Sequence, residues 1–406
     1  IFMKYKLIDL LDFKTQGVNT TTDHISYVEK GYKIVQAKNI APYNITFDES
    51  NFVDEETFSR IKDNHKLHKG EVLYTNIGSQ LGNSAIYEFD DEAIITWNVM
   101  KLIPNKDIID NYYLCYLLNS NKPYIKALNT SSTMPFVSGK ALMNVEFEVP
   151  DLQTQKKVIK VLKNIEDKIK LDNEINNNLY EFNNKLFEEK ILNNAEKDDW
   201  EEYLLSDISK MINGYSYKGN ELVEKSNIGM ATIKNFERTG GFKLDGFKDI
   251  VPQKCKSDHY VKPFEILVAC TDLTQNADII GNAIMLLNNA NYDEIIMSMD
   301  LVKLIPITDI INNYMLYAIV NSKDFKNFAL RYKSGTTVLH LNKNCFKEYT
   351  IKLPNYNTIK DLSKVFEGNY KKISQIVDEN RKLEQLRDTL LPKLMNGEID
   401  LDNIEI

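Results

Sequence analysis

From Gln153 to Leu192 the apolar residues Val158, Leu162, Ile165, Ile169, Ile175, Leu179, Phe182 and Leu186 recur mostly at three and four places. Lys, Glu, Asp and Asn fill the gaps, and no Pro or Gly interrupts. The period predicts one long amphipathic helix. At about 1.5 Å per residue, roughly 40 residues make a rod of about 60 Å, and a rod with one narrow apolar stripe needs a partner. The same pattern returns from Ile359 to Leu394 at Leu362, Phe366, Ile373, Ile376, Leu383, Leu386, Leu390 and Leu394, broken only by Gly368 near the start and Pro392 near the end. A shift of 204 lays Ile169 on Ile373, Asn176 on Asn380, Leu179 on Leu383, Phe182 on Leu386 and Leu186 on Leu390. These ten residues are the expected seam of an antiparallel coiled coil, with Asn176 and Asn380 helping to set alignment. The competing reading packs each helix on its own neighbouring domain; the stripes are narrow for that.

The duplication extends beyond the helices. VQAKNI around Lys38-Asn39 answers ATIKNF around Lys234-Asn235, and GEVLYTNIG from Gly70 answers FEILVACTD from Phe264, which lacks the leading glycine. Gly82-Asn83 answers Gly281-Asn282, VMKLIP from Val99 answers LVKLIP from Leu301, and YYLCYLLNS from Tyr112 answers YMLYAIVNS from Tyr314. FEVP ending at Pro150 and IKLP ending at Pro354 each lead into a rod. The plan is lobe (1–150), helix (151–195), lobe (196–354), helix (355–406), with 193–199 as linker. Strand-like runs precede a single helix in each lobe (112–128 and 314–330), so the expected class is α+β.

Composition leaves the class open to any water-compatible protein: 43% hydrophobic and 27% charged over 406 residues. No run approaches eighteen apolar residues and no secretory leader pattern opens the chain, so neither a membrane span nor a signal is expected. Cys115, Cys255, Cys270 and Cys345 have no paired or metal-type spacing, which suits a reducing bacterial cytoplasm. The net charge of −8 weighs against a nucleic-acid partner unless positive charge is local. Residues 1–150 carry 15 basic and 19 acidic side chains, so no lobe-wide basic field exists there.

Catalytic patterns are lacking. Gly139-Lys140-Ala141 has neither the upstream glycine nor the hydroxyl of a phosphate loop. No [ND]PP[YF] string or glycine-rich nucleotide turn occurs, and His65 and His68 have no companion ligands in sequence. No cofactor and no metal are expected. The informative stretches are four polar loops: NIGSQLGN (76–83) and NTSST (129–133) in the first lobe, TDLTQN (271–276) and RYKSGTT (331–337) in the second. Asn and Gln suit adenine edges, Arg and Lys guanine, and Ser or Thr either. Any one such loop is more economically read as turn chemistry. As a set, they are variable loops on a repeated scaffold. The candidate DNA contacts are Lys38, Asn76, Ser79, Gln80, Asn83, Ser131 and Thr133 in the first lobe, and Lys234, Thr271, Thr274, Gln275, Lys333, Ser334 and Thr336 in the second.

With its two similar lobes, its two long helices and the tail LLPKLMNGEI from Leu390, the sequence resembles the specificity subunit of type I restriction-modification enzymes. The resemblance spans essentially the whole chain. It implies two target-recognition domains, each reading one half of a bipartite double-stranded DNA sequence, with the helix pair as a ruler for the unread bases between. It implies a non-catalytic chain that holds two adenine-N6 methyltransferase subunits, with a restriction (endonuclease) subunit as a further partner. A recognition subunit of a type IIB-like or methylation-only complex, and a coiled-coil scaffold that binds no DNA, stay open as alternatives.

Overall fold

In the computed structural model, which describes residues 2–47, 51–129, 131, 133–194, 199–237, 241–272, 274 and 276–399, the two stripes form a central helix, Leu152–Lys190, and a distal helix, Tyr356–Met395. Each starts on a side-chain cap. The Asp151 carboxylate accepts from the Thr154 amide at 2.9 Å, and the Asn355 side chain accepts from the Thr358 amide at 3.1 Å. Among the described residues no helix is long and apolar enough to cross a membrane.

The chain divides into two compact units, Ile1–Lys170 with Lys382–Ile406, and Leu171–Arg381, so each unit takes a segment of both helices. In the first unit Val158 and Leu162 of the central helix and Leu391, Leu394 and Met395 of the distal helix join the core around Leu7, Tyr74 and Leu114. In the second, Phe187 and Ile191 join Ile359, Leu362, Phe366, Tyr370 and Ile373 in the core around Ile266, Leu304 and Leu316. Two narrow stripes side by side make an apolar face wide enough for a globular core. The helices are therefore core elements as well as a pair.

Within the second unit the pairing is antiparallel: Asn380 Nδ2 donates to Asn173 Oδ1 at 2.9 Å, and Asn369 Nδ2 to Asn183 Oδ1 at 2.6 Å. This corrects the expected alignment role of Asn176, which is buried; among the described residues neither its Oδ1 nor that of Asn380 has a hydrogen-bond partner. A shift of 204 finds equivalent positions in a duplication, whereas facing positions in an antiparallel pair run in opposite directions. Phe182 and Leu386, assigned to the seam by the apolar period of each helix, are corrected: they are 50% and 47% exposed. Of the other seam residues, Ile373 and Asn380 are buried, and Ile169, Leu179, Leu186, Leu383 and Leu390 are partly buried.

Each unit carries two four-stranded sheets of matching order. In the first unit one sheet runs Leu11–Gln16, Val99–Pro104, Val72–Thr75, Ser84–Ile86, and in the second Ser209–Asn213, Leu301–Pro306, Ile266–Ala269, Ala283–Met285. The other sheet has one parallel pair at its centre, Tyr32–Val35 with Ala93–Ile95, matched by Ile228–Ala231 with Glu294–Met297. Where a single helix was expected over 112–128 and over 314–330, each stretch forms two. The first unit has Asn111–Ser120 and Lys122–Ala127, with Pro123 in the first turn of the latter. The second has Asn313–Val320 and Lys323–Leu330, the latter capped by the Ser322 hydroxyl on the Phe325 amide at 3.1 Å.

The repeated sequence strings are the framework. Lys101 Nζ and Lys303 Nζ, from the two KLIP strands, are buried and donate to the carbonyls of Lys66 and Tyr260, each at 2.6 Å. Their charge is met by Glu71 and Glu265, the acidic residues of the GE and FE strings. Asn39 and Asn235 cap their short turns, accepting from the Gln36 and Thr232 amides at 2.9 Å. Gly82 and Gly281 take left-handed φ of +89° and +80°, which glycine adopts without steric cost.

Candidate nucleic-acid interface

In each unit the two polar loops are joined through the main chain. In the first, Ile77 bridges Phe136: the Gly78 amide donates to the Pro135 carbonyl at 2.8 Å and the Val137 amide to the Asn76 carbonyl at 3.1 Å. In the second the bridge is a small sheet, Thr271–Asp272 on Leu339–Leu341, with Lys333–Ser334 as its third strand. Sequence placed the loops at equivalent points of a repeat; the fold makes each pair one continuous surface.

Not every candidate on that surface can reach a base. Asn83 is 1% exposed, and its amide donates to the Ile40 carbonyl at 2.8 Å and Gln80 Oε1 at 2.9 Å while its Oδ1 accepts from Lys122 Nζ. Asn282 repeats this clamp with Lys326 Nζ and the Asp278 carbonyl. Burial pushes both ammonium groups, Lys122 and Lys326, below the usual lysine range. Asn76 is 2% exposed and forms a reciprocal amide pair with Gln16, at 2.9 and 3.2 Å. Both asparagines are thus corrected from DNA contacts to loop anchors, because their polar atoms are spent inside the domain. Asn129, which opens the other loop, accepts from the Ser131 and Phe136 amides at 3.0 and 2.9 Å and so shapes the turn.

The exposed candidates of the first unit are Lys38, Ser79, Gln80 and Thr133, with Ser131 partly buried. Those of the second are Lys234, Lys333, Ser334 and Thr336, with Thr271 and Thr274 partly buried. Gln275 lies outside the described residues. The Thr271 hydroxyl is engaged by Asp300 at 3.0 Å and the Thr274 hydroxyl by Asp272 at 2.8 Å, so both also hold their loop in shape.

Two organising residues escaped sequence reasoning. Gln16, at the end of its strand, binds Asn76 and also the carbonyls of Trp97 and Val99, tying the first polar loop to the turn at 96–98. Asp272, 1% exposed, is the hub of the longer loop in the second unit. Burial alone would raise its carboxyl, but the amides of Thr274, Ile279 and Ile280 and the Thr274 hydroxyl outweigh it and hold the group below the usual carboxylate range. A short polar residue at a strand end is ordinary in sequence, so neither carried a signal.

In the first unit an open recess beside Gln16, about 530 Å³, is lined by Lys14, Thr15 and Lys140 over an apolar floor of Ile8, Met100 and Met143. Among the described residues no group of His, Cys, Asp and Glu could hold a metal ion, and the four cysteines are unbridged.

Comparison with known proteins decides the lineage of this repeated scaffold with its paired polar loops. The profile described as type I restriction modification DNA specificity domain matches residues 19–181 and again 197–385. The chain belongs to this specificity-domain family. Similar proteins include the type I restriction enzyme HindI specificity subunit of Haemophilus influenzae, 22% identical over 82% of this chain and 87% of that one. The MjaVIII specificity subunit of Methanocaldococcus jannaschii is likewise 22% identical, over 83% and 81%. The fold resembles the crystal structure of the S subunit from M. genitalium, with a TM-score of 0.55 at 17% identity over 97% of this chain and 96% of that one. The two specificity-domain matches cover most of both lobes and of both helices, so each half of the duplication seen in sequence and in sheet order is one copy of this domain.

Proposed function

We propose that this chain reads a bipartite double-stranded DNA sequence, one half through each pair of polar loops, and performs no chemistry itself. The observation that supports this best is the contrast between framework and loops. The buried Lys–Glu pairs and the Asn–Lys clamps are the same in both units, while the exposed residues are Lys38, Ser79, Gln80 and Thr133 in one and Lys234, Lys333, Ser334 and Thr336 in the other. One scaffold presenting two sets of donors and acceptors suits two different base sequences.

Modification of adenine requires an extruded base and a methyl donor. The chain's role is to place methyltransferase subunits, two in number, on the sequence it recognises, with a restriction subunit as a further partner. Those partners would supply phosphate contacts that an acidic chain of net charge −8 does not. The paired helices, 39 and 40 residues long, would set the number of unread base pairs between the halves. The test is electrophoretic mobility of a complex reconstituted from this chain and its methyltransferase. Retention of a duplex bearing the methylated motif over a scrambled duplex at 150 mM salt is expected. Equal retention of both would leave the scaffold reading in its place.

A further inference from the structure

Trp97 and Met299 occupy the same place in the two units, at the tip of a three-residue turn between strands Ala93–Ile95 and Val99–Pro104 in one, and Glu294–Met297 and Leu301–Pro306 in the other. Both point outward: Trp97 is 39% and Met299 51% exposed. The turns beneath them are fixed. The Thr96 amide donates to the Val35 carbonyl at 3.0 Å and the Trp97 amide to that of Val18 at 2.8 Å; in the second unit the Ser298 amide donates to the Ala231 carbonyl at 2.9 Å. Gly17 and Gly214 lie so close under these turns that a Cβ on either would stand 2.3 Å from the Thr96 carbonyl oxygen or 1.9 Å from that of Ser298. Each turn is also tied to a polar loop, through Gln16 to Asn76 in the first unit and through Asp300 to Thr271 in the second.

Turn tips ordinarily carry Gly, Asn, Asp or Ser. A large apolar residue is unusual on such a turn, although scattered singly it would need no explanation; the Met299 sulfur also accepts from the Ser216 hydroxyl at 3.6 Å. Here such a residue recurs in both copies, beside the polar loops, with the framework kept and the residue changed. We propose that Trp97 and Met299 are the apolar base contacts of the two half-sites, packing on a thymine methyl or wedging against a base step while the polar loops supply the hydrogen bonds. This rests on the reading of the chain as a bipartite DNA reader. It adds one specificity-determining residue to each half.

The chain has two tryptophans, Trp97 and Trp200. A Trp200→Phe chain labelled with 5-fluorotryptophan and reconstituted with unlabelled methyltransferase reports on Trp97 alone by fluorine NMR. The resonance is expected to shift with a duplex carrying the methylated motif and to stay in place with a scrambled duplex of equal length. Trp97→Ala should weaken specific binding about tenfold and relax discrimination at one half-site only, Met299→Ala at the other, and Trp97→Phe should restore most of the loss. An unmoved resonance with specific binding intact would overturn the inference and leave the bipartite reading standing, as would an equal shift with both duplexes. Failure of the complex to prefer the specific duplex would remove both.

Discussion

Lys101 Nζ stands 3.1 Å from Glu71 Oε1, and at the matching place in the second unit Lys303 Nζ stands 3.0 Å from Glu265 Oε2. Each lysine side chain is at most 5% exposed, so each pair sits where an uncompensated charge is costly. Lys101→Met alone should lower stability in urea denaturation by about 3 kcal/mol, because Glu71, partly buried at 13% exposure, would be left without its cation. Adding Glu71→Gln should recover part of that loss. If the single and double variants unfold at the same urea concentration, the pair is not coupled as described.

Glu166 of the central helix gives a pH dependence. Burial pushes its carboxyl up to about 7, against the opposing influence of the Tyr116 hydroxyl at 2.9 Å and the charges of Arg387 and Lys163; Asp167 adds to the rise. In the unfolded chain a glutamate titrates near 4.3. Between these values the folded state binds the proton more tightly, so Glu166 makes stability fall as pH rises from about 4.3 to about 7 and adds no slope above that. Glu166→Gln keeps an amide for Tyr116 and should remove roughly 1–3 kcal/mol of the stability difference between pH 5 and pH 8. Thermal melts of the two chains at both pH values check this, and an unchanged difference would count against a buried, proton-holding Glu166.

Phe264 has φ of +68° where the first unit has Gly70 at +91°. A left-handed backbone costs a residue with a Cβ roughly 1–2 kcal/mol. Phe264 offsets that through its ring, which lies 5.7 Å from that of Tyr314. Phe264→Gly should therefore be about 1 kcal/mol more stable than Phe264→Ala, although alanine is the larger residue. Calorimetry that ranked alanine above glycine would show that the backbone there relaxes.

Much of this fold was legible in the chain. The two 3.6-residue periods gave both long helices, and the repeated strings gave two lobes of one design. The strings misled about purpose: Asn83 and Asn76 looked like base readers because Asn suits adenine, yet one clamps Lys122 and the other pairs with Gln16. A side chain's chemistry is written in the sequence, but its exposure is decided by contacts between residues far apart in the chain, here 39 and 60 positions. The facing partners in the helix pair were hidden for a related reason. Translation finds that Asn176 and Asn380 are equivalent, and only the antiparallel packing shows that Asn380 meets Asn173.

The exposed loop residues should act one half-site at a time. Gln80 lends its carbonyl oxygen to Asn83 and is otherwise exposed, while Ser334 is exposed on the edge strand Lys333–Ser334. In the reconstituted complex Gln80→Ala and Ser334→Ala should each cost on the order of 1–3 kcal/mol of discrimination at a base pair of one half and none at the other. Binding to a panel of singly substituted duplexes checks this. A uniform loss across the panel would make these residues phosphate contacts.

The central claim is that reading is divided between two lobes of one chain, and single-molecule methylation sequencing tests it most directly. DNA from cells expressing this chain with its methyltransferase partner should carry N6-methyladenine in one motif built of two specified blocks with a fixed number of unspecified base pairs between them. Exchanging the first lobe for that of another specificity subunit should change one block and leave the other and the spacing intact. A single contiguous motif, or a methylation pattern that does not depend on this chain, would contradict the account.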